Sequence, residues 1–213
     1  MVSSEVFVYI VRCNFSDPDR EQAWNEWYSG PKIAQVLAKP LFRTCQRFRL
    51  ASGEGRAYLT LWTIQSPEAF ETPEYRSDWG FSEWAPYVTD WTRDVFDGRF
   101  APEAAFAVSL KGSLRVVSCD GMSADAASAA QAVIAKSHPK MLWLPVIGLD
   151  RSCPMIGLQP LSELASPRES EHGWERRAQA GIYLPMSDVF AAEGSKGGKR
   201  FGQFRDRHDS SGT

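Results

Sequence analysis

Lys32 stands four residues after Tyr28 and seven after Asn25. On a continuous helix an amine, a phenol and a carboxamide at that spacing share one face. An ammonium turned into an aromatic pocket loses its water and its pKa falls; the amine then serves as a base, forms an imine, or clamps a carboxylate or enolate. Tyr28 would donate a hydrogen bond to a carbonyl oxygen, and Asn25 would orient the substrate. The competing account is a solvated lysine above packed aromatics, since lysine is seldom buried.

The same helix carries Trp27, and three strands supply Tyr9, Trp62 and Trp91 as an opposite wall, because alternate strand residues share a face. Trp79 and Trp84 lie in the stretch Thr72–Tyr87, whose prolines, glycine and aromatic residues suit a pocket rim. Such a lining favours a flat hydrophobic ligand; a plain domain interface would use the same residues. His138, before Pro139, and His172, in the charged run 168–174, are further acid or base candidates. With three histidines and no HxH or HxxxH spacing, no metal site is expected.

These side chains need elements to hold them. Val6–Cys13 alternates as a first strand, and Ser16-Asp17-Pro18 reads as the start of a helix over 18–29. Gly30-Pro31 interrupts that helix, which resumes through Ile33, Val36 and Leu37 until Pro40. Phe42–Leu50 is predicted as a half-exposed strand, 51–55 as a hairpin turn and Ala57–Ile64 as a third strand. A second helical region runs from Ser66 to Trp84, and Thr89–Phe96 is the fourth strand. Strand, helix, strand, strand, helix, strand is the ferredoxin-like βαββαβ pattern.

The second half reads as a worn copy. Leu114–Asp120 matches the first strand, Ser123–Ala135 is a helix, Pro145 takes the place of Pro40, and Ser187–Phe190 echoes Arg93–Phe96. Cys119 and Cys153 stand for Cys13 and Cys45. One four-stranded sheet would leave an apolar face bare, so the expected fold is α+β: tandem ferredoxin-like units, 1–98 and 99–193, closing on each other as a pseudo-dimeric α+β barrel. Residues 194–213, rich in Gly, Ser and basic groups, read as a loose tail.

With 213 residues, 43% of them hydrophobic, and a net charge of -2, the chain buries a full core and offers no electrostatic footprint for nucleic acid or an anionic membrane. No apolar run reaches the roughly 20 residues of a membrane-spanning helix. No secretion signal is visible and no two of the four cysteines form a CxxC pair, which suits a reduced, cytoplasmic setting. GxGxxG, GxxxxGK[ST] and GxSxG are absent, so dinucleotide, P-loop and common hydrolase chemistry lose their support.

Trp24, Asn25, Trp27, Tyr28, Leu37, Pro40 and Phe42 resemble, without a gap, a motif of the dimeric α+β barrel superfamily, including its EthD-like and antibiotic-biosynthesis-monooxygenase-like members. That motif reads aromatic-Asn-x-Trp-Tyr-Asp-x-x-His followed by Leu-x-x-Pro-Gly-aromatic. Ser29 stands at its Asp and Lys32 at its His. The superfamily includes cofactor-free oxygenases, haem enzymes, cyclases, isomerases and dehydratases. The resemblance implies a cofactor-independent enzyme, of lyase, isomerase or dehydratase type, acting on a small hydrophobic, aromatic or polyketide-like metabolite. The alternatives are a monooxygenase, cofactor-free or haem-dependent with His138 or His172 as axial ligand, and a non-catalytic binding module. A monomer with an internal pseudo-dimer and a homodimer both fit.

Overall fold

The computed structural model describes residues 5–162 and 178–193. His172 and the tail 194–213 lie outside these described residues. The first half opens with β1 (Phe7–Phe15), followed by α1 (Glu21–Trp27), a π-turn (Tyr28–Lys32), α2 (Ile33–Leu37), β2 (Phe42–Gly53) and β3 (Tyr58–Ile64). Short helical turns at Pro67–Phe70, α3 (Pro73–Arg76) and Ser82–Tyr87 lead into β4 (Val88–Asp97). A linker with a 3-10 turn at Glu103–Phe106 then reaches β5 (Ser113–Ser118), α4 (Ala124–Ser137), β6 (Leu142–Leu149) and β7 (Met155–Leu161). β8 (Gln179–Pro185) and β9 (Phe190–Ala191) complete the described elements.

Strands β2, β3, β1 and β4 are neighbours in that order; β6, β7, β5 and β8 are neighbours in theirs, and the runs join through β4–β6 and β8–β2. Eight antiparallel strands thus close into a barrel, which leaves no free edge to template aggregation. β9 pairs with Thr44 and Cys45, at the end of β2 that β8 does not reach.

Alternation along the first four strands sends side chains to two covered faces. Val8, Ile10, Phe48, Leu59, Leu61 and Phe96 join the barrel core. Tyr9, Val11, Cys45, Tyr58 and Trp62 point the other way, under Trp24, Tyr28, Ile33 and Val36 of the helical stretch. Each large apolar side chain so buried contributes about 1.5–3 kcal/mol. Both faces being covered corrects the expectation for β2: it is not half-exposed, and Thr44, Gln46 and Arg47 are buried. Thr44 is satisfied by Thr63 and Gln46 by the backbone of Val108.

Three local expectations are also corrected. The first helix begins at Glu21, because Pro18–Arg20 forms a turn in which Asp17 accepts from the Asp19 amide instead of capping a helix. Gly30-Pro31 does not break the chain's path: the helix widens into the π-turn, whose i→i−5 bonding from Ile33 to Tyr28 passes the proline that has no N–H. Residues 66–84 are not one helix. Ser66 and Thr72 each cap a separate turn opened by Pro67 and Pro73, and Gly80, at φ 94, turns the chain away. Leu41, in the motif's glycine place, takes φ 69, the left-handed region that glycine occupies without strain.

The residue-by-residue echoes in the second half do not survive. Pro145 lies within β6, paired with Met155, whereas Pro40 sits in the turn between α2 and β2. Cys45 is in β2, but Cys153 precedes β7. Ser187–Val189 leads into the two-residue β9, while Arg93–Phe96 lies inside β4. The halves are tied by charge across the barrel. Arg12 of β1 reaches Asp120, just after β5, at 2.7 and 2.8 Å and Asp94 of β4 at 3.3 Å. Arg56 also reaches Asp120 at 3.0 Å, and Asp94 accepts from the backbone and hydroxyl of Ser152.

Candidate functional site

The π-turn decides what the helix presents to the sheet. Tyr28 and Lys32 line one cavity, while Asn25 turns to the sheet, donating to the Tyr58 hydroxyl at 3.1 Å and accepting from Arg47 at 2.8 Å. The face expected for all three residues therefore holds for two: the wider turn shifts the register between Asn25 and Lys32. Arg47, only 1% exposed, also donates to the Asn25 carbonyl and to Ser29 Oγ, and its guanidinium lies 4.3 Å from the Tyr28 ring centroid. It is the support on which the Tyr28 end of the π-turn rests.

Lys32 is 8% exposed, and its Nζ donates to Gln35 Oε1 at 3.0 Å. Gln35 in turn donates to Asp78. Burial lowers the Lys32 pKa; Asp78 opposes that shift and Lys39 adds to it. Burial pushes the Tyr28 hydroxyl well above its ordinary value, so it remains a proton-bearing donor at neutral pH. Tyr9, raised by burial and by its neighbour Tyr75 at 3.4 Å, does the same.

Two hollows meet at Lys32, Trp79 and Gly80. The inner one, about 40 Å³, lies between helix and sheet and is lined by Tyr9, Tyr28, Trp62, Tyr75, Phe81, Trp91 and Arg93 among others. The outer one, about 340 Å³, is bounded by Trp27, Pro31, Gln35, Asp78 and Ser82. The inner volume suits one or two small atoms groups or waters; the outer suits a ring system. Tyr9 and Trp62 are cross-strand partners on β1 and β3, which is why they share the wall.

Of the side chains singled out from sequence, Tyr9, Tyr28, Lys32, Trp62, Trp79 and Trp91 come together at the inner hollow, and Trp27 joins at the outer one. Trp84 instead packs against Phe15 and Trp27. His138 caps the end of α4 with Nδ1 3.0 Å from Arg115 and lines neither hollow. The helix that carries it lies against β7, in the other half. Tyr75 and Phe81 lie in the stretch read as a rim without being singled out, and Arg93 and Arg47 were not read as lining residues. Arg93 had a signal, standing two residues after Trp91 on one strand face.

No histidine among the described residues lines either hollow, and the inner one, about 40 Å³ between helix and sheet, cannot admit a macrocycle. No helix among the described residues is long and apolar enough to cross a membrane.

No family model matches the chain, and no curated protein matches it. Among solved structures it is similar to an anthrone oxidase-like protein, with a TM-score of 0.52 and 10% identity over 89% of this chain and 94% of that one. It is also similar to a mutant chlorite dismutase from Candidatus Nitrospira defluvii, with a TM-score of 0.46 and 11% identity over 85% of this chain and 92% of that one. The first likeness is one of fold, an antiparallel α+β barrel that extends over both halves of the chain.

Proposed function

We propose that this protein is a cofactor-independent enzyme that stabilises an enolate or related oxyanion on a small, flat, hydrophobic substrate. The observation that carries this reading is a buried lysine, without a direct carboxylate partner among the described residues, facing a hollow ringed by tyrosines and tryptophans. In this account the substrate's ring body occupies the outer hollow against Trp27 and Trp79, and its reacting oxygen enters past Lys32. Tyr28, which keeps its proton, donates to that oxygen; Lys32, whose pKa burial lowers, receives or returns the proton and stabilises the developing charge. The aromatic walls exclude water, which strengthens both interactions. Lyase, isomerase or dehydratase chemistry follows from such a proton transfer.

A second reading has specific support. A stabilised carbanion in a dry pocket is also what dioxygen attacks in a cofactor-free oxidation, and the anthrone oxidase-like description of the fold neighbour favours that outcome. The inner hollow of about 40 Å³ is sized for a diatomic co-substrate. The tandem, pseudo-dimeric arrangement, with units 1–98 and 99–193, belongs to this proposal; it is supported by the matching strand orders of the two halves. An EthD-like affinity rests on the motif around Trp27 and Tyr28.

The test is a panel of phenolic and β-dicarbonyl aromatic compounds, followed by absorbance and by oxygen consumption. Lys32→Met and Tyr28→Phe are each expected to lower kcat about 100-fold or more, as loss of one oxyanion donor does. Turnover unchanged in both variants would overturn the proposal, and oxygen uptake matching substrate loss would select the second reading.

A further inference from the structure

Arg93 lies on β4, inside the rim of the hollow, and its surroundings are unusual for an arginine. Its guanidinium is flanked by two indoles, 4.2 Å from the Trp79 ring centroid and 5.5 Å from that of Trp91. Its ion partner among the described residues, Asp150, has one oxygen 3.4 Å from a terminal nitrogen, and the other Asp150 oxygen accepts from the Arg93 backbone amide at 2.8 Å. Arg93 Nε is buried with no partner, and so is Nε1 of Trp62 on the same hollow's wall. Among the described residues no carboxylate side chain lines the inner hollow: its polar side chains are Lys32, Arg93, three tyrosines and three tryptophans, all able to donate.

Buried donors without acceptors are costly, and a cavity supplied almost wholly with donors is complementary to an oxyanion. We infer that Arg93 is a specificity-determining residue, selecting substrates that carry an acidic oxygen group, a carboxylate above all, on the flat apolar body. The inference rests on the function proposed above and adds to it the substrate class: an aromatic acid, not a neutral aromatic. Arg93 suits the role because its planar fork matches a carboxylate while its faces stack on rings. Held by Trp79 and Trp91, it loses little freedom on binding.

The test compares 2-naphthoate with its uncharged analogue 2-naphthamide, by titration calorimetry and quenching of tryptophan fluorescence at one ligand per chain. The wild-type protein is expected to bind the acid about ten-fold or more tightly than the amide. Arg93→Met should abolish that preference, weakening naphthoate binding about ten-fold relative to the amide. Asp150→Asn, which removes the competing carboxylate without touching the hollow, should tighten naphthoate binding severalfold and provides the readout if Arg93→Met fails to fold. Equal affinity for acid and amide in the wild type, or a preference that persists in Arg93→Met, would overturn the role of Arg93 while leaving the aromatic pocket standing. Failure of both probes to bind at millimolar concentration would overturn the pocket reading itself, and this inference with it.

Discussion

A buried cation must be held by something, and the two under the first helical stretch are held differently. Lys32 has one amide oxygen at 3.0 Å. Arg47 has the Asn25 carbonyl and side chain, the Ser29 hydroxyl and the faces of Trp24 and Tyr28, with no ion pair among the described residues. Arg47 therefore acts as a neutral-partner strut: it satisfies acceptors of the widened helix and fixes the Tyr28 ring. Arg47→Met would keep the volume and strand these acceptors, at about 1–3 kcal/mol. Urea unfolding should show a lower midpoint at an unchanged slope; an unaltered midpoint would mean the π-turn stands without it.

At the scale of elements, the strands of the first half were legible because alternation is written directly in residue type: Tyr58, Thr60 and Trp62 opposite Leu59, Leu61 and Thr63. The aromatic wall followed from the same alternation, since Tyr9 and Trp62 pair across β1 and β3. Two features were not legible. Proline after glycine normally ends a helix, and only tertiary packing of Ile33 and Val36 on the sheet makes the π-turn the better solution. In β2, Arg43, Arg47 and Arg49 read as an exposed face; Arg47 is instead covered by the helical stretch, while Thr44 and Gln46 are buried on the opposite face, Gln46 against Val108. The region 66–84 failed for the opposite reason. Its caps and prolines were visible one by one, but each restarts a turn instead of extending one helix.

For the whole molecule, one link between the halves besides strand pairing is the charge cluster of Arg12, Asp94, Asp120 and Arg56. Burial alone would raise the Asp120 pKa, but Arg12 and Arg56, with the Ser118 hydroxyl, hold it below the usual carboxylate value. A carboxylate whose folded pKa is depressed contributes stability that is present above its unfolded pKa, roughly 4, and is lost as pH falls through the folded value. Asp120→Asn is accordingly expected to cost about 3 kcal/mol near neutral pH, because it strips Arg12 of its nearest partner in a buried site. That deficit should shrink as both proteins are acidified below about pH 4. Thermal melts across that range would show it as converging Tm values; parallel curves would mean the cluster does not couple the halves.

The account as a whole depends on the Lys32 amine being held away from water beside the ring-lined hollow. The most direct measurement is the titration of its ε-methylene by NMR in protein carrying ¹³C-labelled lysine, assigned by comparison with Lys32→Met. A midpoint clearly below the usual 10.5, and one that moves when an aromatic acid occupies the hollow, is the expected result. Titration at the ordinary value, together with the solvent-facing lysines and indifferent to ligand, would contradict it.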